Sequence, residues 1–320
     1  MEAMRTFDAD ALECLAAIVE EGGFERAAVR LSVTQSAVSQ RLRSLEAQVG
    51  TVLLVRSRPI RPTTAGRLLI KHAVQLRLLR SDLDNDLQDL TPGSKAQREE
   101  DRISIAVNAD SIASWALPAL SPLVHAGLPL EIITDDQDFT HEWLREGQVL
   151  GCVTTLKLAL RGCKVLALGD MQYVAVASQA FAAAHCAQGL TPHNFRQLPF
   201  IAFNRKDDLQ ADFVGRALGL RRVSLSQRFV PSSEGQVCAV QAGWGASVVP
   251  QLLVQAQIDS GALVNLVPAF SLPISLYWHC WNLDSAVIDR LTQALAQGAA
   301  QALTLPAKPL SHKITPRSSK

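Results

Sequence analysis

The chain has 320 residues, 48% of them hydrophobic and 19% charged, which is enough for two or three domains with real cores and too apolar for a disordered chain. Its formal net charge of +1 taken alone argues against a nucleic-acid partner. The distribution reverses that: Gly22–Arg80 holds eleven Lys/Arg against two acids (Glu25 and Glu46), a local +9, and the remainder holds twenty bases and twenty-eight acids, a local −8.

In chain order, residues 7–92 read as helical. Asp10–Glu21 carries an apolar face of Leu12, Leu15, Ala16 and Val19, and Gly22–Gly23 stops it. A short helix over Glu25–Leu31 follows. A third runs from about Gln35 to Val49, with Thr34 as its cap. Val52–Val55 is extended and Arg56–Pro62 is a turn. Thr63–Leu90 is a long helix with Leu69, Leu76, Leu83 and Leu90 seven apart, and Leu79 and Leu87 beside them. That spacing reads as a seam for a partner helix, the alternative being a helix packed on its own domain. Thr91–Asp101 is a polar linker.

From Arg102 onward strands alternate with helices. The predicted strands are Ile103–Val107, Leu130–Thr134, Val149–Thr154, Tyr173–Ala177, Phe200–Phe203, Leu225–Val230, Ser247–Val249, Leu263–Val267 and Ser275–Trp281. Helices are expected from about Ser111 and around Thr140–Glu146, with Ser285–Leu303 closing the chain. Such alternation means an α/β fold with a mostly parallel sheet, here long enough for two lobes with a cleft between them. The tail, Pro306–Lys320, has four bases and three prolines and reads as disordered.

Met1–Asp10 carries three acids and no apolar run, so no secretory signal is expected. Gly235–Ile258 and Ser260–Leu283 lack charge but are broken by Gly, Pro, Gln and Asn. They read as buried strands alternating with turns rather than membrane spans. The six cysteines are scattered without a CxxC pair, and no histidines form HxxxH or HExxH. Buried reduced thiols in a cytosolic protein are expected, with no metal, no cofactor and no catalytic pair.

Residues 24–43 read FERAAVRLSVTQSAVSQRLR. Ala27, Ala28, Leu31, Val38 and Leu42 pack two short helices across a tight turn. Gln35, Ser36, Ser39, Gln40 and Arg43 then project from the exposed side of the second helix. A helix fits the DNA major groove, where Gln pairs with adenine through two hydrogen bonds. The first turn points to Gln35, Ser36 and Ser39 for base edges. Arg41 and Arg43 are candidates for phosphates, and Arg56, Arg58 and Arg61 for phosphate or the minor groove. Phe24, Arg26, Arg30 and Thr34 complete the candidate DNA-binding set.

Residues 7–66 resemble the winged helix-turn-helix of the LysR-type transcriptional regulators, through FERAAVRLSVTQSAVSQRLRSLE and then LLVRSRPIRPTTAG. The similarity runs to about Leu303. It is closest to the ArgP/LysG branch, whose members activate amino-acid exporter genes in response to lysine and arginine and carry the older name inhibitor of chromosome initiation. The marks are ISIAVNADSIASWALPAL at 103–120, SSEGQV at 232–237 and LYWH at 276–279. The resemblance implies a DNA-binding domain at 1–66, a dimerisation helix at 67–92 and an effector domain at 93–305, similar to periplasmic binding proteins. Lobe I would span about 102–166 and 270–303, and lobe II about 167–269. It implies promoter DNA as partner, RNA polymerase as a further one, dimers that pair into tetramers, a cytoplasmic, nucleoid-associated location, and a ligand between the lobes.

Ligands in such sheets sit beyond strand ends, beside helix N-termini. The candidates are Asn108, Asp110, Ser111 and Ser114, then Asp135 and Asp136, Thr154 and Thr155, and Ser232, Ser233 and Glu234. Hydroxyls and amides at Ser111 and Ser232–Ser233 suit an α-carboxylate. Carboxylates at Asp110, Asp135, Asp136 or Glu234 suit an ammonium or guanidinium. The alternative is that these are ordinary helix caps. One departure from the branch is the basic pair Arg205–Lys206 in FNRKDD, which disfavours a cationic side chain or simply faces solvent. Trp115, Trp143 and Trp244 read as core or wall residues. The leading reading is a ligand-gated transcription factor that binds lysine or arginine. Its alternatives are an architectural, effector-independent DNA protein and, least supported, an enzyme.

Overall fold

The computed structural model describes residues 6–55, 57–90, 102–134 and 140–305. The expected linker at 91–101 and the tail from 306 therefore lie outside the described residues, as do Arg56, Asp135 and Asp136. Helix α1 (Ala9–Glu20) begins where Asp8 accepts a hydrogen bond from the Asp10 amide, and it buries Leu12, Leu15 and Ile18. Helices α2 (Phe24–Arg30) and α3 (Gln35–Val49) follow. Thr34 caps α3 by accepting from the Ala37 amide at 3.2 Å, and Gly50 closes it in the left-handed conformation. Val38, Leu42 and Leu45 of α3 meet Ala27, Ala28 and the buried face of α1 in one core.

Strands β1 (Leu54–Val55) and β2 (Arg61–Pro62) form an antiparallel hairpin. Helix α4 (Thr64–Leu90) leaves it across a tight junction. A Cβ on Gly66 would lie 2.1 Å from the Leu53 carbonyl oxygen, so no larger residue fits there. The heptad leucines of α4 divide between the two readings. Leu69 and Leu76 pack on the head's own core, whereas Leu79, Leu83 and Leu87 are exposed. Arg77 holds α4 to α1 through Glu13, at 2.5 and 3.1 Å, and Glu20 at 3.3 Å.

Then come β3 (Ile103–Ala106), α5 (Ala109–Ser111), a π-helical turn (Ile112–Ala116), α6 (Leu117–His125), β4 (Leu130–Ile133), α7 (Thr140–Arg145), β5 (Gly151–Thr154), β6 (Cys163–Ser178) and α8 (Gln179–His185). They are followed by β7 (Pro199–Ala202), α9 (Leu209–Leu218), β8 (Ser226–Phe229), α10 (Ser233–Gln241), β9 (Ala246–Pro250), α11 (Gln251–Asp259), β10 (Leu263–Asn265), β11 (Leu272–Trp281) and α12 (Ala286–Ala302). The uncharged stretch 235–258 is thus helix, strand and helix rather than strands and turns. It lacks charge because α10 buries Gln236, Val237, Ala239 and Val240, and β9 is buried throughout.

The chain folds as two compact units. Unit 1 comprises Met1–Ala109, Leu120–Leu166 and Trp278–Leu295; unit 2 comprises Asp110–Ala119, Ala167–Tyr277 and Ala296–Lys320. In unit 1, β3 pairs in parallel with β4 and β5, and the end of β11 lies beside β5. In unit 2, β7 pairs in parallel with β8 and β9, whereas β6 is antiparallel to both β9 and β10. The buried face of unit 2 includes Val174, Val176, Ile201, Val240 and Val249. Gln210 stitches α9 to β9 by bonding both the amide and the carbonyl of Val248.

Candidate nucleic-acid interface and ligand site

On α3, apolar positions turn inward and leave Gln35, Ser36, Gln40 and Arg43 exposed, with Ser39 half-buried among them. Thr34 is shared between its capping bond and a 2.9 Å hydrogen bond with Ser36. Arg43 donates to the Ser39 carbonyl at 3.2 Å, which holds its stem along the helix. Arg58 and Arg61 stand exposed on the hairpin. Arg26 is exposed beside Gly22, and Phe24 packs on the core.

Two arginines of the candidate DNA-binding set also pair with carboxylates of the head. Arg30 pairs with Glu20 and Glu21, and Arg41 pairs with Asp10 at 3.2 Å while approaching the Cys14 sulfur. These arginines bind α2 and α3 to α1. Burial raises the Glu20 carboxyl, but Arg77 and Arg30 beside it outweigh that and hold it below its ordinary value. Burial pushes the Cys14 thiol up.

In unit 2, residues far apart in sequence meet around Asp110. Tyr173 donates its hydroxyl to one carboxylate oxygen at 2.6 Å, and Ser233 donates to the other at 2.6 Å. Ser233 is the first residue of α10, whose cap is Ser232, accepting from the Gly235 amide at 3.0 Å. Glu234 is exposed, and the Ser232 hydroxyl reaches it at 3.4 Å. Ser111 is buried and accepts from the Trp115 indole at 3.1 Å. Ser114 donates to the Asp110 carbonyl at 2.6 Å, which steadies the start of the π-helical turn. Ser232 therefore caps α10, Ser111 and Ser114 bond within their own turn, and Asp110 and Ser233 form a shared polar centre. Tyr173 belongs to that centre and was missed. Its signal is slight: one of only two tyrosines, set in an apolar strand where a buried hydroxyl needs a partner.

In unit 1, Asn108 and Thr154 are both buried, and Thr155 beside them is half-buried. The basic pair Arg205–Lys206 is exposed, with Arg205 5.9 Å from the Phe229 ring centre. Trp115 is buried as expected. Trp244 departs from expectation: it is 51% exposed, at the turn whose carbonyl accepts from Arg228. All six cysteines are unpaired, and burial raises Cys152, Cys163, Cys186 and Cys280 as well. Among the described residues, no group of His, Cys, Asp or Glu is arranged to hold a metal, and no helix is long and apolar enough to cross a membrane.

Residues 9–67 match the bacterial regulatory helix-turn-helix protein, lysR family, and residues 96–300 match the LysR substrate binding domain. The chain belongs to the LysR-type transcriptional regulators. It is 38% identical to the HTH-type transcriptional regulator ArgP of Aeromonas salmonicida, over 94% of this chain and 99% of that one. The crystal structure of ArgP from Mycobacterium tuberculosis superposes with a TM-score of 0.81 at 40% identity, covering 94% of this chain and all of that one. Full-length LysG from Corynebacterium glutamicum, with bound effector Arg, superposes at 0.71 with 32% identity, covering 93% and 99%. As a LysR-type regulator, this protein binds DNA through the head built by α1–α4, and its relatives are named as regulators, not enzymes.

Proposed function

We propose that this regulator senses a basic amino acid, lysine or arginine, and activates an amino-acid exporter gene in response. Residues 1–66 read promoter DNA, 67–92 pair two copies, and 93–305 hold the effector. Exposed Gln35, Ser36 and Gln40, with half-buried Ser39 among them, read bases, and Arg26, Arg43, Arg58 and Arg61 grip phosphate. Leu79, Leu83 and Leu87 give the pairing helix its partner face, and dimers assemble further into tetramers in the cytoplasm. The observation that carries the effector reading is Asp110, a carboxylate oriented by the Tyr173 and Ser233 hydroxyls at the start of α10. A fixed carboxylate beside helix N-termini suits the ammonium and carboxylate of an amino acid together. The arginine carried by the Corynebacterium glutamicum relative is consistent with that chemistry.

The test is a footprint on the promoter of the gene neighbouring its own, with and without lysine or arginine. A change of footprint or of transcription at submillimolar amino acid is expected. A footprint indifferent to both amino acids up to millimolar levels would end the effector assignment and leave an architectural DNA protein.

A further inference from the structure

The segment that joins β5 to β6, together with the start of β6 itself, carries charge of one sign only. From Gly147 to Gly169 the chain has Lys157, Arg161 and Lys164 and no acid. All three bases are exposed, and among the described residues no carboxylate pairs with them. Apolar side chains stand exposed between and beside them: Leu158 at 76%, Val165 at 39% and Leu166 at 38%. All six residues belong to unit 1. Single exposed apolar residues are ordinary on a surface, but here they are gathered in one short stretch and interleaved with unpaired bases.

The backbone beside them is open as well. In the sheet β6 lies between β11 and β9, and β9 pairs only with Tyr173–Val176. On the β9 side, Cys163–Leu166 therefore has no strand partner among the described residues. Further along β6, Thr304 joins the strand by an isolated antiparallel bridge. Its carbonyl accepts from the Asp170 amide at 2.9 Å, and its amide donates to the Asp170 carbonyl at 3.1 Å. The strand thus already takes up one added segment.

An unpaired edge is a template for a further strand, and lysines on it oppose the approach of another basic edge. A second copy of this chain carries the same bases and is repelled. Duplex DNA satisfies the bases but leaves the apolar side chains and the edge amides uncovered. An extended segment that alternates acidic and apolar residues supplies all three: backbone hydrogen bonds, apolar contact and opposite charge. We propose that Lys157–Leu166 is a docking surface for an extended, acidic segment of another protein, which adds to the open edge of β6 as a strand.

The experiment is fluorescence anisotropy on the full-length protein with a labelled, alternating Glu/Val peptide of about ten residues, the length of a long strand. Because strand addition draws its affinity from the main chain, a generic sequence is a fair probe. Two control peptides accompany it, one with Lys in place of Glu and one N-methylated on alternate backbone nitrogens. The Glu/Val peptide is expected to bind at least about tenfold more tightly than either control, and to weaken as salt is raised. Charge reversal by Arg161→Glu together with Lys164→Glu is expected to cost it about tenfold and to favour the Lys/Val peptide instead. Because a variant can misfold, hydrogen exchange of the unmodified protein supplies a second readout, in which the Glu/Val peptide protects the amides of Cys163–Leu166. If that peptide does not bind, binds no better than its controls, or leaves these amides unprotected, the docking surface is overturned. Protection by random duplex DNA instead would make the patch a nucleic-acid surface, and protection that rises with protein concentration alone would make it an interface between copies. Either result overturns the proposal.

Discussion

In the head, Gln35, Ser36 and Gln40 stand exposed along α3, while Arg30 and Arg41 are drawn back to carboxylates on the neighbouring helix. In unit 2 the arrangement is inverted: Asp110, half-buried, and Ser233, separated from it by 123 residues in sequence, meet each other and the buried Tyr173. A surface that meets a polymer is displayed on a pre-formed helix and depends on the packing behind it. The Asp110 centre is assembled from two helices and a strand distant in sequence and depends on mutual hydrogen bonding. The two should therefore fail differently.

The sharpest break is at the junction of the hairpin and α4. Gly66→Val drives a side chain into the Leu53 carbonyl and is expected to cost roughly 3 kcal/mol, the upper part of the range for overpacking. Thermal unfolding should show the head melting early and specific DNA binding disappearing with it. Asp110→Ala comes next. It deprives two hydroxyls of their acceptor, at a cost of roughly 1–3 kcal/mol in urea unfolding. Promoter binding should persist while the response to arginine is lost; an intact response would separate Asp110 from sensing.

On the displayed face, Gln35→Ala is expected to remove about 1–3 kcal/mol of discrimination between the specific site and random DNA. Arg61→Ala should instead weaken both equally and reduce the salt slope by about 1. Equal losses for Gln35→Ala would remove it from base reading. The smallest effect concerns pH. Glu20 is held below its ordinary value of 4.5, so the folded head binds fewer protons there than the unfolded chain. Its contribution is fully present above about pH 4.5 and is lost as pH falls through the lower folded value. Glu20→Gln should flatten that part of an acid-unfolding curve, and an unchanged curve would show that the ion pairs add nothing.

The same contrast explains what was legible in the chain. Helices α1 to α4 lie within a residue of where apolar spacing, Thr34 and the glycines put them, because each signal is local. Strand β6 was seen only as Tyr173–Ala177, though it runs from Cys163 to Ser178. Its first half is largely exposed and contains Lys, Gly and Asp, so it lacks the apolar contrast that marks a buried strand. The π-helical turn at Ile112–Ala116 left no trace, since one wider turn changes hydrogen bonding and not composition. Asp110 and Ser233 were named as strand-end and helix-start residues, but their contact and the part of Tyr173 are tertiary facts with no sequence spacing to announce them. The ion pairs of Arg30 and Arg41 left no sign in the sequence, because net charge does not show which arginines have partners.

The interleaving of the two units has a consequence for biosynthesis. Strands β3 to β5 of unit 1 leave the ribosome well before Trp278–Trp281, the segment that lies beside β5. During that interval the edge of β5 and the apolar surface that later receives Trp278 are exposed to solvent. The head, by contrast, is complete by the middle of α4 and can fold at once. Translation therefore delivers a DNA-binding module ahead of the rest of the chain, and a ribosome that stalls within unit 2 leaves that head joined to an unfinished sheet with an open edge. An open strand edge of this kind is an aggregation liability that closes only when Trp278–Trp281 has emerged.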